Sequence, residues 1–402
     1  MKKSWKWALM CATSISLVSA GNVFAAEEDK APNFTERAFH TVEVDSQVLA
    51  SSQLFKFDSG LEFNYPDAVR GIFVTAHSAG GERFDSLINL IDTTELNAMV
   101  IDIKEDFGHL TYIPGEDSSL AELGMGQPLI KDPRAMLEKL EEKEIYPIAR
   151  VVVFKDTVLA ESRPDLTFMD GDQVWKNNRG ESFVNPFLQE VWDHNVQIAI
   201  EAAKLGFKEI QFDYVRFPEG FENRADDLSY SMGDYEKAEA DSVQQRVEAV
   251  TDFVAYAKEQ LEPYGVEVSV DIFGYAATLP EAPGIGQNFS KISENVDVIS
   301  SMIYPSHWTS YFGIAKPDLE PYKLVAEYAK VENQVLAGLE NPPVSRPWLQ
   351  DFTASYLGAG NYKRYGKAEV EAQIKALNDQ GIDEFLLWNA GNSYSQGVDY
   401  TP

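Results

Sequence analysis

Cysteine is nearly absent from this sequence, which has one, Cys11, in 402 residues. Cys11 lies within the first 25 residues, and these have the pattern of a removable N-terminal segment. Once that segment is removed, the chain has no residue for a disulfide bond, a thiolate nucleophile or a cysteine-metal bond. Protein classes that depend on sulfur chemistry are therefore excluded.

The N-terminal segment resembles a bacterial-type secretory signal peptide. Lys2, Lys3 and Lys6 precede an apolar run over residues 7–18, and Val23-Phe24-Ala25 follows. This order predicts cleavage near Ala25. The apolar run is shorter than the ~20 residues that cross a bilayer. We therefore expect a protein that is secreted or associated with the cell envelope, with no stable membrane insertion after cleavage.

Basic residues are also scarce, with 34 Lys and Arg against 64 Asp and Glu, which gives a formal net charge of -30. Loss of the signal peptide would remove three more lysines. Such an acidic surface repels nucleic acids and anionic membranes. We therefore predict no nucleic-acid partner. The acidic surface suits a neutral or cationic ligand, but it can also serve solubility alone, and the charge does not choose between these two explanations.

Residues 26–66 are polar and acidic at first, and we interpret them as a linker or pro-segment. From residue 67 to the C-terminus, short apolar runs rich in β-branched residues alternate with helical patterns. The eight strand-like runs are 71–77, 98–104, 146–154, 209–217, 266–274, 296–305, 346–352 and 384–390. They predict an α/β domain over residues 67–402, a (β/α)8 TIM barrel with enlarged βα loops.

Helical patterns occupy several of the intervals, and they include 86–96, 133–143, 191–205, 242–261 and 367–380. A doubly wound open sheet is the alternative fold, and it requires a glycine-rich phosphate loop after the first strand. The loop at 77–81 does not match that fingerprint. The long insertion at 154–185, which contains Trp175, Asn177 and Arg179, is expected either to form part of a binding cleft or to be a solvated loop.

Three aspartates break the apolar pattern near the ends of predicted strands. Asp102, Asp213 and Asp271 each lie on the face opposite an apolar one, because side chains alternate along a strand. The C-terminal ends of barrel strands are where catalytic groups are found. The three carboxylates are therefore predicted to converge on one mouth of the barrel.

A purely structural explanation of these aspartates stays open at this point. Asp102 could pair with Lys104 or Arg150, and Asp213 could pair with Arg216 or Arg150, as an ion-pair network that fills the pore. A buried carboxylate is costly unless it is paired or used. The residues alone do not choose between these explanations for any single aspartate.

Paired carboxylates on adjacent strands suit glycoside hydrolysis, which needs one proton donor and one nucleophile or base. Asp213 and Asp271 lie on neighbouring strands, which are roughly 4.8 Å apart. We assign the catalytic role to these two residues, with Asp102 as a third candidate. The predicted substrate-binding residues are Lys104, Arg150, His77, Tyr304, Trp308, Gln350 and Trp388.

Two other functional classes compete with this hypothesis. A metal-dependent hydrolase has candidate ligands such as His77 and His307, but the sequence contains no His-x-His or His-Glu-x-x-His motif. We predict no metal and no cofactor. A non-catalytic carbohydrate-binding barrel would keep the aromatic residues without needing two aspartates in the pore.

Five long stretches resemble a bacterial family of glycosyl hydrolase domains of uncharacterised function. They begin at Tyr65, Leu96, Tyr146, Glu209 and Arg346, and the fourth reads Glu-Ile-Gln-Phe-Asp-Tyr-Val-Arg-Phe-Pro. The resemblance extends from about residue 65 to 400. It implies a TIM barrel that acts on carbohydrate, and it implies no particular sugar.

By analogy with other barrel glycosidases, the resemblance implies that Asp213 is the nucleophile or base and that Asp271 is the acid. An aspartate at the end of the fifth strand is a shorter donor than the more usual glutamate. Asp102, Asp351 and Glu219 are therefore kept as alternative proton donors.

Overall fold

The computed structural model describes residues 56–401, apart from residue 117 and residues 237–240. It also describes two short antiparallel strands, Ser16–Leu17 and His40–Thr41, within a separate unit, Met1–Lys56. The predicted signal peptide and the linker up to residue 55 otherwise lie outside the described residues. The bounds given above for the signal peptide and linker stay predictions.

Eight parallel strands close into a barrel within the second unit, Phe57–Pro402. Each strand pairs with the next along the chain, and the last pairs with the first. The strands are β1 Arg70–Val74, β2 Ala98–Lys104, β3 Tyr146–Val152, β4 Glu209–Asp213, β5 Glu267–Phe273, β6 Val298–Met302, β7 Trp348–Gln350 and β8 Phe385–Trp388. The barrel prediction is confirmed, and the open doubly wound sheet was wrong.

Helices occupy the intervals between these strands. They are α1 Ala76–Ala79, α2 Arg83–Asp92, α3 Pro133–Glu142, α4 Thr157–Ser162, α5 Gln189–Leu205, α6 Ser242–Leu261, α7 Phe289–Ser293, α8 Pro321–Leu336 and α9 Lys367–Asn378. Among the described residues, no helix is long and apolar enough to cross a membrane. Asp132 illustrates how the helices begin, since its carboxylate accepts a hydrogen bond from the N–H of Ala135 at the start of α3.

The two faces of each strand pack in different places. The outward residues of β2, Met99, Ile101 and Ile103, join the large apolar core under the helices. Inward residues form a second cluster in the pore, which includes Phe73, Val100, Ile148, Tyr304 and Trp348. The pore is therefore a packed core, and polar side chains lie above and below this apolar layer.

The N-terminal end of the pore is closed by a buried ion network around Arg346. Its guanidinium donates to Glu209 and Glu384, at 2.7 Å each, and to the hydroxyl of Tyr65 at 2.7 Å. Arg346 and Glu209 are fully buried. Because active sites of TIM barrels lie at the opposite end, this network serves stability.

Replacing Arg346 with methionine should destabilise the fold by about 3–5 kcal/mol, since Glu209 and Glu384 would be left buried without their cation. Urea-induced unfolding at neutral pH measures this change. Any enzymatic activity per folded molecule should stay unchanged. A loss of stability below about 1 kcal/mol, as expected of surface pairs, would contradict this account of the network.

Candidate active site

Asp213 is the last residue of β4, and the backbone turns sharply after it. Tyr214 has a φ of 54°, in the left-handed region that non-glycine residues rarely adopt. This conformation directs the N–H of Tyr214 onto Oδ1 of Asp213, at 2.6 Å. The strained turn therefore fixes the orientation of the Asp213 carboxylate.

Arg150, on β3, connects three carboxylates at the mouth of the pore. Its guanidinium donates to Oδ2 of Asp213 at 2.6 and 3.0 Å and to Oδ1 of Asp102 at 2.7 Å. It also reaches Asp106 at 3.1 Å. Arg150 is 1% exposed, so these charge-assisted bonds lie in a region of low dielectric. The ring of Trp388 lies 5.5 Å from the guanidinium.

Asp271 lies beside Asp213, because Phe212 of β4 is in register with Val270 of β5. Its surroundings differ from those of Asp213, since its Oδ1 accepts a hydrogen bond from Nε1 of Trp348 at 2.7 Å. Burial, followed by the charge of Asp213, raises the pKa of Asp271 well above its ordinary value. The two neighbouring carboxyl groups therefore lie in different environments, since Asp213 is paired with Arg150 and Asp271 has a pKa raised by burial.

The pKa of Asp271 should fall when Asp213 is replaced with asparagine, because a neighbouring negative charge disappears. The indole N–H signal of Trp348 in 15N-labelled protein reports this titration directly. As the control, Asp351→Asn should leave the titration midpoint unchanged. An unchanged midpoint in Asp213→Asn would show that the two carboxyl groups do not interact.

The raised pKa of Asp271 also makes the stability of the fold depend on pH. Folded Asp271 binds its proton more tightly than the unfolded chain does. Its contribution to stability is therefore complete at acid pH and is lost as the pH rises through its raised pKa. Asp213→Asn should weaken this decline in stability toward alkaline pH.

Asp102, on β2, contacts the same arginine from the other side. Burial raises its pKa to about 7, against the opposing effect of Arg150. Asp102 is separated from Asp213 by β3, which carries Arg150 between them. This position suits a residue that orients Arg150 and so acts on Asp213 through it.

Lys104 was predicted to bind substrate, but the structure does not place it in the site. A β-bulge after Asp102 shifts the register, so that Lys104 pairs with Val151 and its side chain turns away from the pore. Its ammonium group is fully buried against Asp156 at 2.6 Å and Asn195 at 2.9 Å. The ion pair between Lys104 and Asp102 considered from the sequence is therefore absent.

Gln350, at the end of β7, is also occupied within the protein. Its side-chain oxygen accepts from the N–H of Ser306, and its amide nitrogen donates to Asp318 and to the carbonyl of Phe352, each at 3.0 Å. It is fully buried. These contacts join the loops after β6 and β7. Because they already use both ends of the side-chain amide, Gln350 is not free for the predicted contact with substrate.

The predicted aromatic residues lie at different depths. Tyr304 is buried in the pore layer, and Trp388 is half-buried and stacks on Phe73 with ring centroids 4.0 Å apart. Trp308 packs against Tyr328 on α8, at 5.8 Å. Trp388 therefore lies over Arg150 at the centre of the site, whereas Trp308 is partly buried against the large apolar core.

His77 does not end β1 as expected. Thr75 caps a short helix, since its hydroxyl accepts from the N–H of Ser78, and β1 stops at Val74. His77 lies on that helix and is exposed at the rim. It contacts none of the three carboxylates in the described hydrogen bonds.

Comparison with sequence families yields one match over the barrel. The profile of a family described as "Putative glycosyl hydrolase domain" covers residues 71–394, which is most of the chain. The chain belongs to this glycosyl hydrolase domain family. The prediction made from the five stretches is confirmed. Comparison with curated proteins finds no match.

A solved structure with a TM-score above 0.5 supports the same fold, and two others are similar to the chain with lower scores. The glycoside hydrolase domain of PgaB (BpsB) from Bordetella bronchiseptica is 14% identical, with a TM-score of 0.54 over 80% of this chain and 94% of that one. A hypothetical protein from Ruminiclostridium thermocellum is 32% identical, with a TM-score of 0.43 over 50% of this chain and 96% of that one. The glycoside hydrolase domain of PelA from Pseudomonas aeruginosa is 13% identical, with a TM-score of 0.45 over 83% and 99%.

Two residues at the site of this glycosyl hydrolase domain were missed in the sequence. Asp106 has a half-exposed side chain and contacts Arg150 at 3.1 Å. Lys155 donates to the hydroxyl of Tyr214 at 3.4 Å and lies 4.6 Å from its ring. Both lie directly after strands that carry site residues, and this position is the signal that could have identified them.

The alternative proton donors lie in other surroundings. Both oxygens of Asp351 accept hydrogen bonds from Ser395, at 2.8 and 2.6 Å. Glu219 is on the loop after β4, where its 71% exposed side chain pairs with Arg216 at 3.2 Å. Neither one contacts Asp213.

Two of the cavities on the described part of the barrel domain are informative about the site. One of about 450 Å³ lies between α2 and the loop after β8, and none of the pore carboxylates lines it. The other, of about 230 Å³, is lined by residues 175–183 of the long insertion and by residues 214–219 after β4. It begins at Tyr214, beside Asp213, and we call it the insertion cleft. In the described residues, no group of three or more His, Asp or Glu side chains is arranged to hold a metal ion.

Proposed function

We propose that this protein is an exported glycoside hydrolase that cleaves a poly- or oligosaccharide with Asp213 and Asp271. One observation carries the proposal. Two adjacent carboxyl groups at the C-terminal mouth of a TIM barrel lie in different environments: a buried arginine pairs with Asp213, whereas burial and the charge of Asp213 raise the pKa of Asp271. Pairs of carboxyl groups with divergent environments are typical of acid and base assignments.

In this proposal Asp271 is the proton donor. It transfers its proton to the glycosidic oxygen as the bond to the anomeric carbon breaks, and the alcohol leaves. Its raised pKa keeps the proton bound at a higher pH than an ordinary aspartate would allow. If Asp213 is the nucleophile, Asp271 regains its proton from the water that hydrolyses the glycosyl-enzyme. If Asp213 is the base, Asp213 takes the proton from the attacking water, and both carboxyl groups exchange protons with solvent before the next turnover.

Asp213 meets the positive charge that develops on the sugar ring, either as the nucleophile or as the base that activates water. Both of its oxygens are already oriented, one by Arg150 and one by the N–H of Tyr214. Such preorganised charge needs little rearrangement during the reaction. Arg150 thus acts on Asp213 as a positioning residue.

Export and the kind of substrate rest on the sequence. The N-terminal pattern supports a secreted or envelope-associated enzyme. The net charge of -30 disfavours a polyanionic substrate. A neutral or cationic saccharide outside the cytoplasmic membrane is therefore the proposed substrate class.

Product release from a panel of bacterial and plant polysaccharides tests the proposal. Wild-type protein should release shorter chains with new reducing ends, and a chelator should leave the rate unchanged. Loss of activity with the chelator would favour a metal-dependent hydrolase. Sugars that are bound and recovered intact would favour a non-catalytic binding barrel.

A further inference from the structure

We propose that the insertion cleft binds one uncharged glycosyl residue of a polymeric substrate, next to the bond positioned at Asp213. This inference rests on the proposed function and adds a binding site that the pore residues do not provide. It also explains why the barrel carries the long insertion between β3 and α5. The support comes from the hydrogen bonds that hold the insertion in place, the position of the cleft beside Asp213 and the balance of the charges that line the cleft.

The insertion is held in place by its own hydrogen bonds. A two-stranded ribbon, Met169–Asp170 with Gln173–Val174, forms its centre. The side-chain oxygen of Asn177 then accepts from the N–H groups of Arg179 at 2.8 Å and Glu181 at 3.0 Å. The alternative of a loosely solvated loop is therefore disfavoured, and the cleft wall is formed in advance of any ligand.

The cleft adjoins the proposed catalytic pair through Tyr214. The ring of Tyr214 lines the cleft, while its backbone N–H holds Asp213. Lys155 and Arg216 lie 4.6 and 4.7 Å from this ring and restrain it. A saccharide bound across Asp213 would therefore place its neighbouring unit in the cleft.

The size and the charges of the cleft limit its ligand. Drug-sized ligands occupy roughly 300–1,000 Å³, so about 230 Å³ accommodates a single glycosyl unit. Two arginines and two glutamates line it, and their charges cancel. Lys155 adds a positive charge beside Glu181, at 2.8 Å, and Asp106 offsets this charge at 3.8 Å, while Glu219 pairs with Arg216 at 3.2 Å. The lining offers donors and acceptors for hydroxyl groups and no net charge for a charged sugar.

Binding in the inactive Asp213→Asn background tests the site without cleavage. Affinity electrophoresis would use hydroxyethylcellulose, galactan and glycol chitin as uncharged polymers and polygalacturonate as the anionic one. Added to this background, Arg179→Ala or Glu219→Ala should weaken binding of an uncharged polymer by roughly tenfold or more, as expected from losing a hydrogen bond to a charged group. Arg163→Ala, an exposed arginine outside the cleft, is the matched control.

These binding measurements test the sugar subsite in the insertion cleft independently of the proposed hydrolase activity. Weakened binding in the two cleft variants alone supports the subsite, even if wild-type protein cleaves nothing and the proposed hydrolase fails. Unchanged binding in those variants overturns the subsite, even if wild-type protein is an active hydrolase. Tighter binding of polygalacturonate than of every uncharged polymer, or binding of none of the four, also overturns it.

Discussion

Replacing Asp213 with asparagine is expected to lower the rate of glycosidic-bond cleavage by roughly four orders of magnitude or more, the scale of loss found when a charged member of a catalytic set is removed. Asparagine keeps the shape of the side chain and removes its charge. The developing positive charge on the sugar would then face an amide, and Arg150 would keep Asp102 and Asp106 as its charged partners.

A lower pKa of Asp271 adds to the loss of the Asp213 charge in this variant. The charge of Asp213 helps to raise the pKa of Asp271, so the variant should hold less proton on Asp271 at neutral pH. Lowering the pH should restore that proton but not the missing charge. The residual activity of Asp213→Asn should therefore shift toward acid pH and stay far below that of the wild type.

Two controls make this result specific. Thermal unfolding and retained sugar binding show whether the variant is folded, and Asp351→Asn tests a second carboxyl group at the same end of the barrel. Activity that survives in Asp213→Asn would reduce Asp213 to a structural residue. NMR of the fresh product adds the assignment of role, since retained anomeric configuration indicates a nucleophile and inversion indicates a base.

The barrel could be predicted because its strands are buried on both faces and read as nearly continuous apolar runs. Strand ends were less predictable. The run at 209–217 was expected to form one strand, but β4 stops at Asp213 because Tyr214 adopts a left-handed conformation. The run at 71–77 ends early because Thr75 caps a helix. Both limits come from local turns that apolar periodicity does not report.

Alternation along the strands correctly brought Asp102, Asp213 and Arg150 together, and it failed at Lys104. A β-bulge adds one residue between Asp102 and Lys104, and one added residue moves a side chain to the other face. No residue in that run signals the bulge. Its cause is visible only in three dimensions, where Asp156 receives the lysine.

Gln350 shows a different limit of predicting site residues from sequence. Its position at the end of β7 is compatible with substrate contact, but partners distant in sequence, Ser306 and Asp318, already use its amide. Sequence patterns place a polar residue on a face and do not show which groups satisfy it. Asp106 was missed for a related reason, since its place after β2 marks it as a candidate but its contact with Arg150 is visible only in the structure.

Replacing Arg150 with methionine should remove activity and also destabilise the fold by about 3–5 kcal/mol at neutral pH, because Asp102 and Asp213 would stay buried without their cation. Both carboxyl groups could then remain in the folded protein only by binding protons. The stability loss should therefore shrink as the pH falls, since protonation removes the unpaired charges. Unfolding by urea across a pH series measures this trend.

Lysine at position 150 separates the two effects. It keeps a positive charge, so stability should return in part, but a single ammonium group cannot reproduce the fork that contacts Asp102 and Asp213 together. Activity per folded molecule should stay low in Arg150→Lys, whereas Arg346→Met, with a comparable loss of stability at the opposite end of the pore, should keep it. If Arg150→Lys is fully active, the orientation of Asp213 does not depend on the guanidinium, and Arg150 serves only to neutralise the pore.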